Sequence, residues 1–425
     1  MPPNGRLFST SMGKENLFPL SGLDRRKFLK LSALAALGSA RPTLFSPLLA
    51  ADSTVTLPFE NGERALVAYP EKRPLIRLSA RPPQLETPFE VFNQGILTPN
   101  DAFFVRYHLA GVPTRIDPEA FRVRIGGKVN TPLELSLAAL KKIAEPVELV
   151  AVNQCSGNSR GFFTPRVAGG QLGNGAMGNA RWTGIPLKKV LEKAGLAAGA
   201  KQVTFQGLDR PVLEATPAFI KALDVDHAMD GEVMLAWAMN GGDIPMLNGY
   251  PLKLIVPGYY GTYWVKHVCN INVVDSVFAG FWMSTAYRVP DNPSHSVAPG
   301  ETPKATVPIA RFDVRSFITS LKDGGQVPAG RATVVRGIAF DGGKGIRNVE
   351  FSADGGRRWR NAALGRDLGR YSFREWTASF TATAGDLELK CRATNNARDT
   401  QPSQPLWNPT GYMRNVVETV RVKAV

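Results

Sequence analysis

Cysteine is scarce in this sequence. Three residues, Cys155, Cys269 and Cys391, stand among 425. Their number is odd, they lie far apart, and they form neither C-x-x-C nor C-x-x-C-H. No disulfide scaffold, zinc ribbon or covalent haem is therefore signalled. Long apolar runs are missing too: LSALAALGSA is interrupted by Arg41-Pro42 and falls short of the ~20 residues a spanning helix needs. Lys/Arg runs, zinc-finger spacings and internal repeats are also lacking. That argues against a nucleic-acid partner, although the formal net charge is +15. The charge points instead to a small oxyanion or an acidic protein partner. Hydrophobic content of 44% is ordinary for a globular chain, and the length suits two domains.

A further absence marks the centre of the chain. Residues 152–182 contain no carboxylate, yet they hold Arg160, Arg166, Arg181 and Cys155 among many Gly and Asn. Glycine lets the backbone approach a ligand closely. Neighbouring guanidinium groups favour a thiolate, the form that binds metal or attacks an electrophile.

In chain order, residues 1–51 read as a targeting segment. Arg25-Arg26 precedes Phe28-Leu29-Lys30 and a short apolar stretch, as in a twin-arginine signal, which implies export to a periplasm. Residues 52–100 are rich in proline and read as an extended surface arm. In FFVRYH, strand alternation points Arg106 and His108 the same way. Helices are expected at 136–143, 187–194 and 215–222, and strands at 121–125, 147–152, 203–207, 233–239, 252–256 and 264–274. This mixture lacks a regular βαβ rhythm and reads as α+β with a mixed sheet over residues 52–300. The stretch 290–308 reads as a proline-rich linker. Beyond it, over 301–425, short strands separated by Gly/Asp turns read as an antiparallel sandwich. Cys269 and Cys391 sit among apolar strand residues and read as inert thiols.

Two chemistries suit Cys155. As a nucleophile it needs a base, and His108, His227, His267 and His295 are all available, although no acyl-transfer motif surrounds it. As the chain's one metal ligand it requires an organic cofactor to supply the other donors, since protein zinc and iron sites take three or four side chains.

The motifs favour the second. Gln154-Cys155-Ser156-Gly157-Asn158-Ser159-Arg160, Ala180-Arg181-Trp182, Asn248-Gly249-Tyr250-Pro251-Leu252 and Val256-Pro257-Gly258-Tyr259-Tyr260-Gly261 occur in one order. Together with Val265-Lys266 they resemble the sulfite oxidase family of molybdenum enzymes, and most of all its haem-free periplasmic sulfite dehydrogenases. Gly342-Gly343-Lys344-Gly345-Ile346 and Asp354-Gly355-Gly356 with Trp359 resemble that family's immunoglobulin-like dimerisation domain.

The resemblance implies a molybdopterin cofactor with Cys155 as thiolate ligand of molybdenum, and no haem in this chain. It implies a substrate pocket of Arg106, Arg160 and Tyr287. His108, Asp209, Asn248, Lys253 and Lys266 are implied to hold the pterin and its phosphate. Asn248 stands where many relatives have His, Lys253 where they have Arg, and Leu172 where a pocket tryptophan is common. A second-domain arginine of the pocket is not at its usual place, and Arg414 is the substitute expected here. The implied activity is oxidation of sulfite to sulfate, with electrons passing to a separate c-type cytochrome. The implied assembly is a homodimer or a heteromer with a cytochrome subunit. Alternatives are a molybdoenzyme acting on sulfane sulfur or an S-oxide, and a secreted non-enzymatic binding module.

Overall fold

The computed structural model describes residues 53–425, and the leader expected at 1–51 lies outside the described residues. The proline-rich stretch is a sheet, not an extended arm. Thr54–Thr56, Glu63–Val67, Leu75–Ser79, Gln84–Glu86 and Val105–Arg106 pair antiparallel in that order. Leu75, Leu85, Val105 and Tyr107 bury its inner face. All seven prolines between residues 58 and 99 fall between strands, where no ladder N–H is required. They hid the short strands from a reading by composition. The sheet ends at Arg106, so it carries that guanidinium into the body of the protein.

Two larger sheets follow. One orders Ile220–Asp224, Gln202–Gln206, Asn270–Val274, Arg122–Gly127 and Leu133–Ser136. Its Asn270–Val274/Arg122–Gly127 pair is parallel and the others antiparallel, which makes the sheet mixed. The other joins Gly242–Asp243, Met234–Met239, Met177–Pro186 and Val147–Gln154, with Lys253–Ile255 also on Met234–Met239. Helices are few and short. Ser136 Oγ caps Leu137–Lys141 by accepting from Ala139 N–H at 3.1 Å. Leu187–Ala194 ends at Gly195, whose φ of 68° suits glycine. The helix expected at 215–222 is not formed. Ile220–Asp224 is a strand because Phe219, Ala222 and Leu223 bury against the Gln202–Gln206 sheet, and a short apolar run fits either period.

The second half is a sandwich. One sheet holds Arg315–Ile318, Ala332–Phe340, Arg374–Thr381 and Ala363–Leu364. The facing sheet holds Gly325–Val327, Thr419–Ala424, Gly385–Asn395, Ile346–Ser352 and Arg360–Asn361. Val335, Val349, Phe351, Trp376 and Leu389 fill the space between them. The expected linker is not an open tether: Arg288–Pro290 pairs with Thr306–Pro308 and closes it at both ends.

The halves share a core. Phe312, Phe340, Tyr371 and Met413 belong to the same apolar cluster as Val152 and Trp264. Val152 N–H donates to the Tyr371 carbonyl at 2.9 Å, and Glu232 pairs with Arg311 (2.9 Å) and Arg370. Beside this seam lies a cavity of about 590 Å³, with Glu232, Arg311, Lys344, Asp399 and Tyr412 on its wall.

Candidate active site

Cys155 stands at the end of Val147–Gln154, a strand paired along its length with Met177–Pro186. Its N–H donates to the Ala176 carbonyl (2.9 Å) and its own carbonyl accepts from Asn158 N–H (3.0 Å). The chain then turns through Ser159, held at φ 71°. The glycine-rich return is anchored by a residue that sequence reasoning missed. Buried Glu86 accepts from Gly173 N–H (2.9 Å) and Gly175 N–H (3.3 Å). Burial pushes its carboxyl up to about 7 against the opposing pull of those N–H groups. These two N–H groups therefore serve the loop itself and not a ligand.

The loop forms one wall of a cleft. Arg106, His108, Asn248, Lys253, Lys266 and Tyr287 line the remainder, gathered from five separate segments. Lys266 Nζ donates to the Arg106 carbonyl at 2.5 Å. Burial lowers Lys266 to about 8, with Asp209 opposing the shift. Lys253 is fully buried in an aromatic box, its Nζ 4.7 Å from the Trp182 ring, 5.6 Å from Trp264 and 5.9 Å from Phe103. Burial, then Lys266 and Lys72, hold its pKa well below the usual lysine range. His108 stacks on Phe219 at 3.9 Å and hydrogen-bonds Tyr287 Oη through Nε2. Burial, then Arg106, Lys266 and Lys221, keep that imidazole neutral. Burial also raises the Tyr287 phenol, which stays protonated.

Asn248 shows a second missed residue. Its Oδ1 accepts from Lys72 Nζ, and its Nδ2 donates to the Phe104 carbonyl at 2.9 Å. Lys72 comes from the proline-rich sheet and is buried, with its pKa lowered by that burial to about 7. Nothing in the local sequence Glu71-Lys72-Arg73-Pro74 marks it out. Behind it, His267 Nε2 accepts from Tyr107 Oη (2.6 Å) while Nδ1 donates to the Tyr250 carbonyl (2.5 Å). Burial lowers this histidine to about 4, so it is a fixed structural strut.

The cleft's donor set suits a molybdopterin. One sulfur, Cys155 Sγ, is available as a soft ligand. Asn153 Oδ1, Ser156 Oγ and Thr262 Oγ1 border the same space, are buried, and lack a partner within the protein. Buried polar atoms without partners are costly, so their clustering at one sulfur points to a polar occupant. Arg106, Lys72, Lys253 and Lys266 make no ion pair with a carboxylate among the described residues, which suits a phosphate-bearing group. In this side-chain arrangement the cleft holds about 20 Å³, room for about one water. A pterin therefore requires the long basic side chains to swing aside.

Three sequence-derived site residues lie outside the cleft lining. Asp209 is buried behind it, its carboxyl raised by burial and opposed by Lys266. Arg160 adjoins it through the second domain: its guanidinium lies 4.7 Å from the Tyr412 ring, and that ring stacks on Tyr287 at 5.3 Å. Arg414 does not reach the cleft. Its Nη1 is taken by Glu418 and its guanidinium rests 5.2 Å from the Phe162 ring. Its neighbour Tyr412, two residues earlier, approaches the site instead and stacks on Tyr287. Of the other cysteines, Cys391 is buried beside Ser316 Oγ (3.4 Å) and pushed up to about 12 by that burial. Cys269 is half-buried, with its thiol also raised by burial.

Comparison with known proteins agrees with this site. Residues 108–282 match the family described as oxidoreductase molybdopterin binding domain, and residues 306–425 match the Mo-co oxidoreductase dimerisation domain. The chain is 32% identical over 382 residues to the mitochondrial sulfite oxidase of Mus musculus, covering 84% of this chain and 67% of that protein. It is 32% identical over 366 residues to the sulfite oxidase of Gallus gallus, covering 81% and 77%. The chain belongs to the sulfite oxidase family. As a family member it is a molybdopterin oxidoreductase with the expected two-part architecture, a molybdopterin-binding domain followed by an immunoglobulin-like β domain. It spans about two thirds of the length of its mammalian relatives. The crystal structure of the sulfane dehydrogenase SoxCD from Paracoccus pantotrophus shares its fold, with a TM-score of 0.68, 21% identity, and coverage of 95% of this chain and 97% of that one.

Proposed function

We propose that this oxidoreductase converts sulfite to sulfate and passes the electrons to a separate c-type cytochrome, with no haem of its own. The observation that carries this reading is the cleft at Cys155, where cationic groups converge and no carboxylate forms part of the lining. Cys155 would bind molybdenum, and Lys253, Lys266, Asn248 and Lys72 would hold the pterin and its phosphate. When bound, the centre supplies two-electron redox chemistry and oxygen exchange with water.

The protein's own groups do the rest. Arg106 draws in a small oxyanion by charge-assisted hydrogen bonds, with Arg160 nearby. Tyr287 keeps its proton and donates to an oxyanion oxygen, while neutral His108, protonated on Nε2, donates to the tyrosine Oη and fixes its direction. Phe219 and Trp282 pack around His108 and keep bulk water from that side. The formal charge of +15 steers an acidic partner, so turnover with a cytochrome acceptor should fall as salt rises. The proposal includes export by the twin-arginine route to a periplasm, and a dimer built through the second domain.

One observation favours a second reading, action on a sulfane sulfur or an S-oxide. The second domain brings an aromatic ring, Tyr412, toward the cleft, and its nearby guanidinium, Arg414, is already paired. Steady-state assays of the molybdenum-loaded protein, with sulfite, thiosulfate and a panel of S-oxides, separate the two. Sulfite-dependent reduction of ferricyanide at the highest kcat/KM supports the first reading, and a higher value for another substrate overturns it. A purified protein that takes up no molybdenum would favour the non-enzymatic module.

A further inference from the structure

Arg160 is a long side chain held at one spot by another domain. Its Nε donates to the Thr410 carbonyl at 3.1 Å, and Nη1 reaches the Gly170 carbonyl at 3.4 Å. The guanidinium has five N–H groups; Tyr412 Oη lies close enough to take one of the other three, which leaves two with no protein partner among the described residues. It also makes no ion pair there. The slot around it is cut by glycines. A Cβ on Gly157 or Gly169 would come within 2.9 Å of the guanidinium, and one on Gly411 within 2.8 Å of Arg160 Cγ.

The face of that slot is Tyr412. Its ring lies 4.7 Å from Arg160 Cζ and stacks on Tyr287 at 5.3 Å and 12°. The loop that brings it is rigid. Asn408 Nδ2 donates to the Tyr412 carbonyl (2.9 Å), and Tyr412 N–H donates to Asn408 Oδ1 (3.2 Å). Thr410 Oγ1 donates to the carbonyl of Arg288, next to Tyr287 (3.2 Å), and Met413 N–H reaches the Ser156 carbonyl (3.4 Å). Gly411 and Met413, which flank the tyrosine, both take left-handed φ values, 62° and 61°, as does Tyr287 at 61°. For Met413 and Tyr287 that backbone is strained, a cost that clusters where side chains must be aimed.

We propose that Tyr412 is a positioning residue: the second domain uses its ring to fix Arg160 and Tyr287 together as one oxyanion-binding surface. The idea rests on the sulfite reading for its substrate, but not for its contact geometry. Cation–π contact keeps a desolvated guanidinium in place without neutralising it, so its free N–H groups stay available. A carboxylate in the same place would pair with Arg160 and oppose an anion.

The test is a double-mutant cycle in the molybdenum-loaded enzyme. Tyr412→Leu is expected to raise KM for sulfite about tenfold with kcat within about twofold. Tyr412→Phe, which retains the ring, is expected to keep KM within about twofold of wild type. Tyr412→Leu added to Arg160→Gln is expected to cost clearly less than the two single losses added, because much of the tyrosine's effect runs through the arginine. If the leucine variant does not fold, Tyr412→Met replaces it, since its flexible side chain fills the gap. An unchanged KM, or additive losses in the double variant, overturns the proposal. Sodium sulfate titration followed by tryptophan fluorescence separates the two ideas. If sulfite is not turned over yet sulfate affinity falls about tenfold in Tyr412→Leu, the substrate reading fails and the positioning role stands. A wild-type enzyme that binds no sulfate overturns the role.

Discussion

The two concave regions of this protein differ in size and, more tellingly, in charge balance. The cavity at the domain seam is the larger, about 590 Å³, and most charges on its wall are matched. Glu232 meets Arg311 and Arg370, Lys344 meets Asp399 at 2.8 Å, and Arg414 meets Glu418. Asp313 and Asp341 are exceptions, and burial raises Asp313 with His295 opposing the shift. The cleft at Cys155 is narrow, yet its cations have no carboxylate partners among the described residues and three of its polar atoms are orphaned. A fold tolerates such an imbalance where a ligand later offsets it. Unpaired charge, not volume, singles out the candidate site.

Breaking the imbalance at the cleft should have the largest effect. Arg106→Gln removes a guanidinium from the oxyanion's path, and kcat/KM for sulfite should fall about 100- to 1,000-fold in steady-state assays. Lys253→Met sharpens the comparison because its two effects have opposite signs. Cofactor retention should drop about 10- to 100-fold. The cofactor-free protein should gain about 1–3 kcal/mol in denaturant unfolding, since a buried amine without a carboxylate partner becomes apolar.

The same imbalance sets a pH dependence. Burial lowers Lys72 and Lys221 to about 7 in the fold, against about 10.5 in the unfolded chain. Between those values the unfolded state binds more protons, so stability rises with pH. Thermal melts of the cofactor-free protein should therefore shift upward from pH 7 to pH 9. Sulfate or phosphate in the cleft should weaken the part of that trend due to Lys72. The smallest effect is expected at the balanced seam. Lys344→Met breaks an exposed pair and should cost no more than about 1 kcal/mol, with KM unchanged.

How much of this was legible in the sequence follows the same division. The strand leading to Cys155, the Gly195 stop and the alternating strands of the sandwich obey local periodicity and turn chemistry, and sequence showed them. Arg106, His108, Asn248, Lys253, Lys266 and Tyr287 came from motif resemblance, and the fold gathers them at one cleft. Three features stayed hidden. Proline masked the first sheet, because its short strands fit between the prolines. Lys72 and Glu86 act across long sequence separations, bonding Asn248 and the 173–175 backbone, and no local pattern encodes such contacts. Arg414 looked suitable by charge, but Glu418, one helical turn's spacing away in sequence, holds it, and the neighbouring Tyr412 faces Arg160 instead.

Cys155 is proposed as the one sulfur ligand that, set among unpaired cations, makes this cleft a molybdenum oxidase site. The most direct measurement is kcat for sulfite in the molybdenum-loaded Cys155→Ser protein. The account predicts a fall greater than the roughly 100-fold that loss of a supporting residue can cause. Turnover equal to wild type at equal molybdenum content would contradict it.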